Sequence, residues 1–244
     1  MPITIGPWDL ILVLVVSIQS TVLAYMHAPR WKALVLSLPF PFTTIAMSQG
    51  RPVDATNVAA LIVLFVYMQG VRLLHQRLRV PIVLAIVLSV LLYCAIGWAL
   101  ARVFPRTESA FWITVAVTFI LALVLHARMP HRREPGHRTA LPVWKKLPMM
   151  MAVICFLILV KSALSGFATL FPLLGVTGAY EARHSLWTFG RQMPVIMLTL
   201  TPLMVVSHLT HAHIGLGPSI ALGWAVFLIV LISITRAMWR ESSQ

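Results

Sequence analysis

Carboxylates are scarce enough in this chain to be weighed singly: Asp9, Asp54, Glu108, Glu134, Glu181 and Glu241. None falls in the middle of an apolar run, so a proton relay through a deeply buried acid is not expected. Two of them lie beside a guanidinium, Asp54 after Arg51 and Glu181 before Arg183. These pairs are expected to gate opposite mouths of one pathway. The alternative is that each only caps or orients a helix, since an exposed ion pair contributes about 0–1 kcal/mol. Among the cations, Lys161 stands inside or beside apolar sequence, and with Arg191 it is a candidate to bind phosphate or carboxylate; its alternative is a snorkelling lysine. Gln49, Asn57, Gln69 and Gln192 must find partners across helices or on a ligand. His208, His211 and His213 invite a zinc reading, but no cysteine or carboxylate is near in sequence and the spacing matches no ligand pattern. Interfacial histidines are the expectation, and no metal. No nucleophile elbow, phosphate loop or paired-carboxylate arrangement appears, so neither an enzyme nor a cofactor is expected.

Two proline-bearing stretches carry the rest of the candidate site. SLPFPFTTIAMSQGR (37–51) resembles TLFPLLGVTGAYEAR (169–183), with Phe40-Pro41 aligned on Phe171-Pro172 and a polar, arginine-bearing exit after each. Proline removes a backbone donor that hydrocarbon cannot replace, so freed groups must meet protein, hydroxyls or water. Ser37, Thr43, Thr44, Ser165, Thr169 and Thr177 are at hand. The expected binding residues are therefore Phe40, Pro41, Thr43, Thr44, Lys161, Thr169, Phe171, Pro172 and Arg191, with Arg51, Asp54, Glu181 and Arg183 as gates. A structural kink is the plainer alternative.

The elements that must position these residues are membrane spans. The 244 residues are 59% hydrophobic and 10% charged, with mean hydropathy +0.90, outside the range of soluble domains. The net charge of +13 lies in short gaps between apolar runs, which favours anionic headgroups as partners over nucleic acid. Cys94 and Cys155 fall within apolar runs and indicate neither disulfide nor metal. The first apolar run lacks a basic leader and a cleavage site, so a retained span is expected. Clear runs are Leu10–Met26, Ala55–Val71, Val80–Ala101, Ser109–Ala127 and Ile214–Thr235; Ala33–Gln49, Leu147–Val160, Ser162–Tyr180 and Gln192–Ser207 are ambiguous. With all nine counted, one side of the membrane keeps only Arg51, Arg102, Arg106 and Lys161 of the 19 basic residues, 15 against 4. A seven-span count divides them evenly, so the positive-inside rule selects nine, with a periplasmic N-terminus and a cytoplasmic C-terminus.

The expected architecture is all-α. A four-span repeat in 1–104 is followed by a linker helix and basic loop in 105–146, including RMPHRREPGHRTALPVWKK (128–146), and by a second four-span repeat in 147–244. One extra span between the units inverts the second. The segment ATLFPLLGVTGAYEARHSLWTFGRQMPVIMLTLTPLM, with GLGPSIALGWAVFL after it, resembles the GlpM-like family of small four-span bacterial inner-membrane proteins. Matching positions are Phe171, Pro172, Tyr180, Glu181, Arg183 and Pro218. That resemblance implies a bacterial inner-membrane location and a fused pair descended from one small unit. It brings no substrate. The functional expectation is a secondary transporter or lipid translocator for an anionic, phosphate-bearing or lipid-linked substrate, against a non-transporting scaffold as the competing class. Membrane lipids are the expected partners, and the sequence leaves a homo-oligomer open.

Overall fold

The computed structural model describes residues 7–130, 134–137, 139, 141–161 and 165–241, with side chains except at 156–161, 165–166 and 239–241. All regular elements among these residues are helical. In order they are α1 (Pro7–Tyr25), α2 (Pro29–Ser37), α3 (Phe40–Gln49), α4 (Ala55–Arg72), α5 (Ile82–Val103), α6 (Glu108–Arg128), α7 (Val143–Lys161), α8 (Leu173–Glu181), α9 (Leu186–Ile214) and α10 (Leu216–Glu241). A wide π turn, Leu73–Arg77, prolongs α4, and a 3-10 helix, Ser165–Leu170, leads into α8.

Six helical stretches among the described residues are long and apolar enough to cross a membrane: Pro7–Tyr25, Ala55–Arg77, Ile82–Val103, Glu108–Arg128, Leu186–Ile214 and Leu216–Met238. The outer ones show why. Leu91 on α5, Ile113 on α6 and Ile229 on α10 are each 60% or more exposed, and contiguous aliphatic surface of this kind is stable against hydrocarbon, not water. The protein is membrane-embedded. Helix α9 is the inner one, with 67% of its most apolar window buried against 22% for α6.

Local chemistry sets the boundaries. Asp54 accepts from the Thr56 backbone N–H while Asn57 Oδ1 accepts from the Asp54 N–H, a reciprocal cap that starts α4. Thr107 caps α6 through the Ala110 N–H. Gly50 closes α3 at φ 61°, a left-handed value that glycine adopts without strain. Two boundaries differ from the sequence expectation. Helix α7 begins at Val143, which draws Lys145 and Lys146 out of the loop and into its first turn. Helix α9 runs on to Ile214, so His208, His211 and His213 occupy its last turns instead of a gap.

Long-range contacts give the course of the chain. Ser48, late in α3, donates to Asp9 at the start of α1, while the Thr139 N–H reaches the Ala24 carbonyl at the other end of α1. The Asp9 end is the first end of the bundle and the Ala24 end the second. Together α2 and α3 therefore run from the second end to the first, broken midway.

Candidate functional site

Each broken segment changes direction at a proline. Between α2 and α3, Leu38 is extended (φ −65°, ψ 124°) and Pro39 (φ −84°, ψ 36°) stands just ahead of the first residue of α3. Between the 3-10 helix and α8, Pro172 has φ −73° and ψ 47°. Both carbonyls start the next helix in the same way, Pro39 accepting from the Thr43 N–H at 2.9 Å and Pro172 from the Val176 N–H at 2.8 Å. The structural counterpart of Pro172 is thus Pro39. Pro41, which the sequence comparison aligned with Pro172, lies in the first turn of α3, where a missing N–H costs nothing.

Side chains from neighbouring helices bond to the backbone carbonyls and hydroxyls around the breaks. Gln19 of α1 donates to the Val35 and Leu38 carbonyls at 2.7 and 3.2 Å. Gln192 of α9 donates to Ser37 Oγ at 2.6 Å. At the second break, Tyr93 of α5 donates to the Phe167 carbonyl at 2.7 Å, and Asn57 of α4 to Thr169 Oγ1 at 2.9 Å. Thr44 returns its hydroxyl to the Phe40 carbonyl at 2.8 Å. Of these, the Gln19 bonds reach backbone carbonyls at the end of α2, which an unbroken helix would pair internally, whereas the Thr44 bond is an ordinary i−4 contact within α3.

The two breaks face one cavity of about 60 Å³, lined by Leu38, Pro39 and Pro41 from one side, Thr169, Phe171 and Pro172 from the other, and Tyr67 of α4. This is room for a few water molecules or a small polar group. The lining is mainly apolar. Tyr67 is 1% exposed and its hydroxyl has no hydrogen-bond partner among the described residues, an arrangement that costs about 1–3 kcal/mol if it stays unmet.

A second centre lies at the second end. Lys32, Lys146 and Glu181 are each 1% exposed. Lys146 pairs with the Glu181 carboxylate, and Lys32 donates to the Glu181 carbonyl at 3.2 Å. Two cations and one anion leave an excess of positive charge. Arg183 lies alongside, its Nη2 3.3 Å from His137 Nε2. Partial burial, then Arg183, His184 and Lys32, hold the His137 pKa below the usual imidazole value against the opposing pull of Glu181.

No protein-family model, curated protein or solved structure matches the chain. The reading of the site rests on its own geometry.

Of the residues expected to bind substrate, Pro41, Thr169, Phe171 and Pro172 line the cavity. Thr43 and Phe40 turn away toward α10, Thr43 accepting from Trp224 Nε1 at 2.8 Å and Phe40 lying 5.1 Å from the Trp224 ring. Arg191 donates to the Met129 carbonyl at 2.9 Å, beyond the last turn of α6 and away from the cavity. Lys161 ends α7, and its side chain lies outside the described residues. The gate pairs are not formed as expected. Asp54 caps α4 and faces Arg106 at 4.0 Å instead of Arg51, which is exposed. Glu181 turns to Lys146 instead of Arg183, because burial demands a close counter-charge and Arg183 is held by the Tyr180 carbonyl at 3.1 Å. Glu181 is also buried, against the expectation that no carboxylate would be. His208, read as remote from any acid, meets Glu108 Oε2 at 3.0 Å across α6 and α9.

Sequence reasoning missed Gln19, Tyr67, Tyr93, Lys32 and Lys146. A usable signal existed for two of them. Gln19 is an amide within an otherwise aliphatic run, and Lys32 lies within a turn of Pro29, a residue that starts helices.

Proposed function

We propose that the protein is a secondary transporter or lipid translocator for an anionic substrate, working by alternating access between two inverted repeats. One observation carries this reading: two proline-interrupted segments from distant parts of the chain enclose one cavity, bordered by Tyr67, whose buried hydroxyl has no partner among the described residues. Interrupted helices at corresponding places are a feature of inverted-repeat transporters, where unwound backbone and half-helix ends serve the substrate. In this reading the membrane is crossed nine times, by α1, α2 with α3, α4, α5, α6, α7, the 3-10 helix with α8, α9 and α10. The first four and last four crossings are the repeats, α6 the linker, and their senses are opposite. Descent from a duplicated unit like the GlpM-like proteins is part of the same proposal. Lys32, Lys146 and Arg183 at the second end favour an anion, and the excess of basic residues there makes it the cytoplasmic end of an inner-membrane protein.

The competing reading is a scaffold whose prolines only shape the packing, and the cavity's apolar lining supports it. Cysteine labelling separates the essential geometry. With Cys94 and Cys155 replaced, single cysteines at Gln49 and Tyr180 should react with an impermeant maleimide from opposite faces of the membrane. Reaction of both from the same face removes the inverted arrangement, and with it the transporter reading.

A further inference from the structure

A groove of about 580 Å³ opens on the flank of the bundle between α5, α7 and α8. Its walls are aliphatic and sulfur-bearing, including Val83, Leu91 and Cys94 of α5, Met149 and Val153 of α7, and Val176 of α8. From Val83 to Cys94 it follows α5 for about 16 Å, roughly half of a ~30 Å hydrocarbon core and so the depth of one leaflet. It ends at Tyr180, toward the second end of the bundle. There the chemistry changes abruptly. Arg183 Cζ lies 5.1 Å and Lys146 Nζ 5.7 Å from the centre of the Tyr180 ring, Arg79 precedes α5, and Lys145 stands in the first turn of α7. Glu181 is the acid beside these cations, and it is already paired with Lys146.

We infer that this groove is a binding site for one anionic phospholipid, its acyl chain lying along α5 and α7 and its phosphate held beside Tyr180 by Arg183 and the basic residues at the rim. An apolar channel one leaflet deep accepts a hydrocarbon chain from any lipid; the one-sided collection of cations selects a headgroup with net negative charge. The site is independent of the proline-lined cavity and does not require transport.

The test uses the full-length protein in detergent, loaded with phosphatidylglycerol or phosphatidylcholine of identical chains and read by native mass spectrometry. One phosphatidylglycerol should be retained at least tenfold more than phosphatidylcholine, and glycerol phosphate, which lacks the chain, should not displace it. Val153→Trp, which fills the groove, should abolish retention of both lipids; Val153→Phe serves as a milder filler should the tryptophan variant unfold. Arg183→Gln should erase the headgroup preference while leaving a lipid in place. Equal retention of the two lipids by the unaltered protein overturns the site, as does full phosphatidylglycerol retention in a folded groove-filled variant or displacement by glycerol phosphate. Failure of the labelling test for inverted repeats leaves these outcomes untouched.

Discussion

Glu181, Lys146 and Lys32 form a buried charged set at the second end. A carboxylate with 1% exposure is tolerable because Lys146 pairs with it directly, while Lys32, whose ammonium donates to the Glu181 backbone carbonyl, adds positive charge nearby. Removing one member of a buried charged set leaves the others uncompensated, at a cost of about 3–5 kcal/mol. Glu181→Gln is therefore expected to lower the thermal unfolding midpoint in detergent markedly. Combining it with Lys146→Met should cost less than the sum of the two single changes, because the double variant no longer buries that lone charge. An additive result means that the pair is not coupled. His137, in the loop beside this set, gives a separate pH signature. Its pKa in the fold lies below the ordinary 6.5, so above about pH 6.5 it is neutral in both folded and unfolded chains and adds no slope. As the pH falls from there, the unfolded chain takes up a proton that the folded one refuses, and stability declines until the lowered folded value is passed. His137→Gln should flatten this part of the stability profile, with unfolding midpoints compared across pH 5–7 as the check.

At the scale of the element, the breaks hold their shape through borrowed hydrogen bonds. Gln19 alone meets two carbonyls of the first break, and Gln19→Leu would leave Val35 and Leu38 without it at a cost of about 1–3 kcal/mol. Tyr93→Phe should cost less at the second break, about 0.5–1.5 kcal/mol, because the Phe167 carbonyl keeps its bond within the 3-10 helix. Both are measurable as reduced unfolding midpoints, and a neutral outcome for both would mean that water, not the neighbouring helices, supports the breaks. The contrast between proline and its partners explains what could be read from the sequence. Proline acts on its own backbone and the residue before it, so two interruptions were visible without a fold, although the alignment on Pro41 chose the wrong proline of the LPFP run and the turn falls at Pro39. Gln19 lies 16 residues from Val35, and Lys32 lies 149 residues from Glu181; nothing local to either residue announces its partner. Helices that are apolar on nearly every side, such as α5, also carry no periodic signal for which face meets protein and which meets lipid, so the groove was not legible, whereas the prolines pointed to four of the residues that line the cavity.

The whole molecule makes one demand that its parts do not: if the two repeats rock about the shared cavity, then closing one end must leave the cavity reachable from the other. The second end offers a natural lock, because Ser20 Oγ of α1 and Thr177 Oγ1 of α8 lie 2.8 Å apart. These two helices belong to different repeats in the nine-crossing arrangement, so a covalent bond between them would fix one repeat to the other toward that end, while the first end is joined only by breakable hydrogen bonds such as His208 to the Val53 carbonyl. In a chain without Cys94 and Cys155, carrying Ser20→Cys, Thr177→Cys and a reporter Leu200→Cys in the cavity wall, oxidation should form the cross-link. A small impermeant thiol reagent should then reach the reporter from the first end at an undiminished rate and lose access from the second by at least tenfold, with dithiothreitol restoring it once the reporter's own label is a stable thioether. A scaffold with a static, sealed cavity predicts a reporter that is unreactive from both faces before and after oxidation. Equal loss of access from both ends would mean that the cross-link compacts the bundle as a whole, which excludes independent gates and therefore alternating access.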